Sequence, residues 1–540
     1  MKEDNLMSCL KSFWEIEEDH SPEKQEFSVD EKTLMNRTNE TTSYVKGRYQ
    51  VDLPWKREAP THLNSFDQAN RRLCSTIKRL NKDKELKLAY HNVMKEYADK
   101  EYISRVSSQA NHEKAFYLPH FPIVRMNKET TMVRVVFDAC AKVDGLSLND
   151  CLEVGPKLQL DLMNILVCFR KKKIALVCDI SQMYLQIGVL EHDRKCLRFL
   201  WQEEDETIVY QFNRLVFGLN CLPFLAQFIL RLNADLHSES FPLASAVINN
   251  ATYMDDSLVS VDTIEEGKAL VGQLDGLLGH AGMVPCKYTS NESITLEEIE
   301  TERKSQTQIG LTNDQSKSIS TLGINWLPES DVFQFKSNLS QTRPNTKRKI
   351  LSVISKLFDP LGLIAPIVVN AKMIMQDLWL DRTGWDEEAD PNLLKRIWRW
   401  LEDLTHLKLI SIPRWLKFSS AEQHCLHIFS DANEKAYGAA AFLSVDTFED
   451  KQSTLVAAKS RVAPLKSITM PRLELLAATL AVDMAERLSA SLNVDSQRIY
   501  YWCDSQIVLA WIQNRSKQLK TFVANRISRI HSRSNPDQWS

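Results

Sequence analysis

Glycine is scarce in this chain, 15 residues in 540, and no glycine-rich phosphate loop is present. Neither a Walker pattern nor a dinucleotide fingerprint occurs, which excludes those two nucleotide-binding classes. No apolar run reaches membrane-spanning length, and the N-terminus "MKEDNLMSCLKSFWEIEEDH" lacks a hydrophobic signal region. Cys-x-x-Cys and zinc spacings are also missing. The eleven cysteines stand singly, several inside apolar runs, such as Cys168, Cys178 and Cys503. They read as reduced, small hydrophobes of an intracellular protein with no membrane partner. The sequons at Asn36 and Asn39 carry no weight without a secretory signal. A global excess of one charge is lacking too: the formal net charge is −3. The local runs "RKKK" at 170–173 and "TKRK" at 346–349 read as solvated faces.

What is present is an ordinary apolar fraction, 44%, and length enough for about three or four domains. Residues 1–105 are polar, charged and mostly helical in pattern, with "SYVKGRYQVDLPWK" as an extended island. From "FYLPHFPIV" to "LGINWL" strands and helices alternate. Residues 335–415 read as mainly helical. From 424 onward strands dominate, with one long helix near 471–490.

The stretch "NNATYMDDSLVSV", 249–261, reads as a β-hairpin whose tip holds two adjacent acids, Asp255 and Asp256. Like charges repel, and tight hairpin turns usually recruit glycine because they need positive φ. An isolated Asp-Asp pair is usually a solvated turn. A divalent cation offers another reason, because hard cations take carboxylate oxygens from separate segments. That reading needs a second acid, and "KKIALVCDISQMYLQIGV" supplies one. Its apolar strand ends at Asp179, where two hydrophobic segments join. Asp179 with the Asp255–Asp256 pair forms a candidate two-metal site for in-line displacement at phosphorus.

"CLHIFSDANEKAYGAAAFLS" repeats the device, an apolar strand ending in Asp431. "RIYYWCDSQIVLAWI" does so again at Asp504. Between them a helix starts near Pro471, with Leu473, Leu476, Ala477, Leu480, Met484 and Leu488 on one stripe. Glu474 lies roughly 120–180° from the helix's other charges, beside Ala481 and Ala485. A carboxylate set among alanines is costly without a partner. A metal shared with Asp431 and Asp504 would supply one; a tolerated border glutamate is the plain alternative.

The ordered set of motifs resembles the Pol polyprotein of BEL/Pao-family LTR retrotransposons. The resemblance rests on "YLPHFPIV", "RVVFDACAKVDGLSLNDCLEVGPKLQ", "FGLNCLPFLAQ", "YMDD", "SKLFDPLGLIAPI", "MPRLELLAA" and "WCDSQIVLAWI". It implies a multidomain α+β and α/β chain. An N-terminal polyprotein linker region (1–105) would be followed by reverse transcriptase fingers and palm (106–330). A helical thumb and connection (331–420) and an RNase H-like domain (421–540) would come next. The implied activity is RNA-directed DNA polymerisation: two-metal transfer of a dNMP to a primer 3′-hydroxyl.

Residue by residue, the resemblance implies that Asp179 and Asp255 bind both Mg²⁺ ions, or Mn²⁺, with Asp256 contributing less directly. Tyr184 would screen the sugar 2′ position, with a core aromatic as the plain alternative. Arg134, with Lys128 as a weaker candidate, would clamp incoming phosphates. Phe217 and Gly218 would pack on the nucleotide. Lys287 would protonate leaving pyrophosphate, or be an ordinary surface lysine. Asp431, Glu474 and Asp504 would hold two further Mg²⁺ ions for cutting RNA in an RNA–DNA hybrid. Implied partners are RNA template, DNA primer, hybrid, dNTPs and other Pol and Gag products. A cytoplasmic particle followed by nuclear entry is expected from the family alone.

The family's fourth RNase H acid lies in an Asn-Pro-Ala-Asp segment past a Trp, whereas this sequence stops at "SNPDQWS". Asp537 resembles the stretch just upstream of that Trp. The RNase H-like domain is therefore expected to be C-terminally truncated, with its cutting activity in question. A peptidase reading lacks support, since neither Asp-Thr-Gly nor Asp-Ser-Gly occurs. Integrase-type zinc patterns and nucleocapsid knuckles are missing as well. The rival reading is a dead or domesticated fragment that only binds nucleic acid or partners. Intact palm motifs argue against it. Oligomeric state is not legible.

Overall fold

The computed structural model describes residues 27–57, 64–106, 115–124, 133–204, 206–305, 319–321, 324–335, 343–380, 383–418, 423–446, 451–466, 468–514 and 519–540. Two hydrophobic cores organise them. The first is built on a four-stranded sheet. Its central strand is β1 (Ile174–Ile180), flanked by the hairpin β2 (Thr252–Tyr253) and β3 (Asp256–Val261) on one side and by β4 (Pro285–Ser290) on the other. Every residue of β1 except Asp179 is buried, so the strand is an apolar run with one polar position at its end. Helices Leu222–Leu236, Pro242–Ala251 and Ile264–His280 pack beside this sheet.

The stretch expected as a linker region is folded into this first core over its described residues. Arg48–Val51 pairs in parallel with Gly188–Val189, and Ile103–Arg105 pairs antiparallel with Glu206–Phe212. Helices Phe66–Leu80 and Lys84–Asp99 pack on the hairpin His120–Val124/Val133–Phe137. His120 is buried there. Its Nε2–H donates to the Leu200 carbonyl at 2.7 Å, and Nδ1 accepts from the Tyr90 hydroxyl. That assigns the neutral ring, and burial holds its pKa down at about 4.

The second core runs from the back of the first sheet, including Ala175, Val177 and Leu258, through a small sheet to a second large one. The small sheet joins Ile319–Thr321, Ile324–Leu327, Val332–Gln334 and Ser411–Pro413. The large one has β5 (Gln423–Ala432), β6 (Ala436–Asp446), β7 (Lys451–Val462) and β8 (Ile499–Cys503) in the order β7-β6-β5-β8. The β5–β8 pair is parallel and the other two pairs are antiparallel. The helix Met470–Leu492 packs across β5 and β6. It starts with proline in its first turn and ends on Asn493 at φ 55°, a left-handed stop. Helices Lys347–Ile354, Ala365–Leu380 and Pro391–Asp403 make up the helical stretch expected before this sheet, and Ala365–Leu380 packs on β7.

The "RKKK" run departs from its reading as a solvated face. Arg170 is fully buried, and its guanidinium is satisfied there by donating to three main-chain carbonyls. Among the described residues, no helix is long and apolar enough to cross a membrane. The ten described cysteines are free thiols.

Candidate active site

Strand register brings the first acids together. Asp256, at the start of β3, stands directly opposite Asp179 on β1. Asp255 precedes it in the turn, and its carbonyl accepts from Ile180 N at 2.9 Å. The turn contains no glycine, so Met254 takes the left-handed backbone itself, at φ 56°. Gln227, buried on the helix Leu222–Leu236, donates from Nε2 to the Met254 carbonyl at 3.1 Å and pins this conformation. The Thr252 and Ser257 hydroxyls close the hairpin at 2.8 Å.

Three carboxylates in one place shift one another. Burial, then Asp255 and Asp179, pushes Asp256 up to about 7. Burial and Asp179 also raise Asp255, against the opposing charges of Lys287 and Arg134. On the other side of β1, Lys287 sits at φ 53°, where β4 breaks register, and its ammonium pairs with Asp179. Burial alone would lower this lysine; the bond and charge of Asp179 outweigh it and raise it. A cluster of hard oxygen donors with a cation already drawn to it suits a divalent ion.

Tyr184 lies on a short 3₁₀ turn, Met183–Gln186, and its ring meets Phe217 edge to face at 5.0 Å. Burial, then Asp255, pushes its hydroxyl up to about 12. Phe217 is itself exposed, so the pair offers an aromatic surface beside the acids. Gly218, at φ 115°, could carry no side chain: a Cβ would lie 2.1 Å from the Phe137 carbonyl oxygen. Asn149 holds this loop by donating to the Gly218 carbonyl at 2.9 Å and accepting from Asn220 N at 2.9 Å. Arg134 is exposed on the strand Val133–Phe137 and acts on Asp255 through its charge. Lys128 lies outside the described residues. Sequence reasoning missed Gln227 and Asn149. The available signal for Gln227 was one polar residue on the otherwise apolar face of "LPFLAQFIL".

The second cluster uses parallel pairing. Ser430 on β5 faces Cys503 on β8, so the next residues, Asp431 and Asp504, emerge from the same ends of adjacent strands. Glu474 approaches from the helix Met470–Leu492. Ligand atoms of Glu474, Cys503 and Asp504 lie within 4.8 Å of one another, an arrangement that could hold a metal ion. Burial, then Asp504 and Asp431, pushes Glu474 up to about 7, and its Oε2 is buried without a hydrogen-bond partner. An orphaned carboxylate oxygen among acids fits a cation site. Asp537 is exposed in a short turn. Beside it Trp539 stacks on Tyr501 at 4.6 Å, and Ser540 pairs with the β8 backbone.

Residues 346–505 match the family model described as the Pao retrotransposon-like RNaseH-like domain. The Pao-type segment begins in the helical stretch well before β5 and contains Asp431, Glu474 and Asp504. No curated protein matches the chain. Among solved structures, the fold is similar to foamy viral protease-reverse transcriptase. The dRH form in complex with ds DNA gives a TM-score of 0.53 at 14% identity, covering 95% of this chain and 79% of that chain. The complex with dsDNA gives 0.53 at 14%, covering 95% and 94%, and the complex with RNA/DNA hybrid 0.51 at 14%, covering 95% and 60%. At this identity the likeness shows the fold, a reverse transcriptase-like body with an RNase H-like domain. The family match and the fold together support a retrotransposon Pol region.

Proposed function

We propose that the chain is an RNA-directed DNA polymerase that adds dNMP units to a primer 3′-hydroxyl, with a linked domain that cuts RNA in a hybrid. The observation that carries the reading is the register of Asp256 against Asp179, with Asp255 at the turn between β2 and β3. Three hard donors converge there from two strands.

Asp179, Asp255 and Asp256 would hold a pair of Mg²⁺ ions, which supply charge neutralisation at the attacking and leaving oxygens. The protein's own groups do the rest. Arg134 places a positive charge near enough to act on Asp255, where it would meet an incoming triphosphate. Tyr184, braced by Phe217, sets a wall beside Asp255 that would reject a 2′-hydroxyl by bulk. Lys287 carries a proton within reach of Asp179, a placement that suits protonation of departing pyrophosphate. Asp431, Glu474 and Asp504 would hold the metal ions of the second reaction. The partners are RNA template, DNA primer, hybrid and dNTPs, gripped mainly by their backbones because a polymerase accepts any sequence.

The test is primer extension on poly(rA)–oligo(dT) with Mg²⁺ and dTTP, comparing the chain with Asp255→Asn. Extension that disappears in the variant supports the polymerase and its metal site. No extension by the parent chain, despite hybrid binding, favours a binding fragment instead.

A further inference from the structure

Arg170 and Arg414 are both fully buried, and among the described residues one carboxylate, Asp331, pairs with them. Arg414 holds Asp331 in a fork, Nε to Oδ1 at 2.6 Å and Nη2 to Oδ2 at 2.8 Å. Its remaining protons go to the carbonyls of Phe169, Lys172 and Lys173 at 2.6, 2.9 and 2.6 Å. Arg170 donates to the carbonyls of Arg414, Val456 and Pro413 at 3.1, 2.6 and 3.2 Å. Trp326 Nε1 completes the group by donating to Asp331 Oδ1 at 3.0 Å.

These carbonyls belong to three parts of the molecule. Phe169 to Lys173 form the corner that leads into β1 and thence to Asp179. Asp331, Pro413 and Arg414 belong to the small sheet and its border. Val456 lies on β7, two strands from Asp431 on β5. Burying two like charges with one counter-charge is costly, and an apolar filling of the same volume would usually be at least as stable. What two guanidinium forks supply instead is direction: the bonds not given to Asp331 each fix one main-chain carbonyl of a named segment. The helix Leu162–Phe169 adds a second contact between the same bodies. Its Cys168 lies against Ser491 O at 3.7 Å, and Asp161 lies 3.5 Å from Arg487, both on the helix that carries Glu474.

We propose that Arg170 and Arg414 are positioning residues that fix the spacing between the acid site at Asp179 and the acid site at Asp431. They thereby set where RNA is cut relative to the growing DNA end. The second clause rests on the function proposed above; the first does not. Each rigid strand carries the corner's position to its own acid, so the cluster acts as the common origin from which both sites are measured.

The test uses the full chain with Arg170→Met, which keeps the stem and removes the fork. Asp331→Asn, a milder change that leaves both arginines, serves if the first variant fails to fold. Spin labels at exposed Glu239→Cys and Glu434→Cys, with exposed Cys74→Ser and Cys140→Ser, report the distance between the two bodies. The parent should give one narrow distance distribution and the variants a broader or shifted one. In parallel, end-labelled RNA annealed to a recessed DNA primer, with Mg²⁺, reports the cut position. The dominant product should fall about threefold as neighbouring products rise, while the extension rate stays unchanged. An unchanged distance distribution in a folded variant overturns the proposal, whatever the cut pattern. A parent chain that cuts no RNA tells against the second site's proposed activity, and the distance measurement still decides the positioning claim.

Discussion

The two acid clusters are built from the same unit, an apolar strand that ends in an aspartate, yet they are completed in opposite ways. The site at Asp179 is closed by a hairpin and compensated by protein cations, Lys287 in contact and Arg134 at longer range. The site at Asp431 is closed by a helix, and its Glu474 is raised by the neighbouring acids Asp504 and Asp431 and keeps one buried oxygen without a hydrogen-bond partner. On the function proposed above, the difference has a reason in charge. A site that receives a polyanionic triphosphate benefits from fixed cations, whereas one that engages a single phosphodiester can leave compensation to its metal ions.

The largest expected effect is a double dissociation. Asp179→Asn should lower primer extension about 10³-fold and leave RNA cutting intact, and Glu474→Gln should do the reverse. Both activities assayed on one hybrid would check it. If either variant lost both, the clusters would not be separate sites.

The next effect separates the bodies rather than the sites. The buried imidazole of His120 titrates near 4 in the fold against 6.5 when unfolded. The unfolded chain therefore takes up the proton first. Stability is whole above pH 6.5 and falls as pH drops toward 4, by about 3 kcal/mol if nothing else titrates. Denaturation followed by Trp201, whose ring stacks on Tyr90 at 5.2 Å beside His120, should show the loss in the first body. His120→Gln should flatten that part of the pH dependence.

A smaller effect concerns the turn. Gln227→Ala frees the Met254 carbonyl, and extension should fall about tenfold with cutting unchanged, a selective loss that steady-state assays of both reactions would reveal. Smallest of all, Met254→Gly removes a left-handed side chain and its packing together. Chemical denaturation should find the two nearly balanced, within about 1 kcal/mol.

The strand-end acids were legible because an aspartate closing an apolar run is visible one-dimensionally. Their meeting was legible only through the motif order, since nothing in "YMDD" alone says which residue it faces. Met254 was hidden for a related reason: the need for positive φ is readable, but not which residue without glycine's freedom will bear it. Arg170 was misread because composition reports charge and not environment; three carbonyls from distant segments make its burial tolerable. Lys287 was undecided between surface and site, and its pairing with Asp179 depends on a register break that spacing does not encode. The long helix was easy to place, because proline, the apolar stripe and the Asn493 stop agree on its ends.

The hairpin between β2 and β3 has one further consequence. Its tip has no residue to spare: Met254 bears the backbone turn, Asp255 and Asp256 are the proposed metal ligands, and Tyr253 pairs with Asp256. Side chains on a strand alternate between faces, so one inserted residue would turn Asp256 to the far side of the sheet. Substitutions in this loop can be graded, but its length cannot. Among descendants of this sequence, insertions and deletions should accumulate around the tip and never within it.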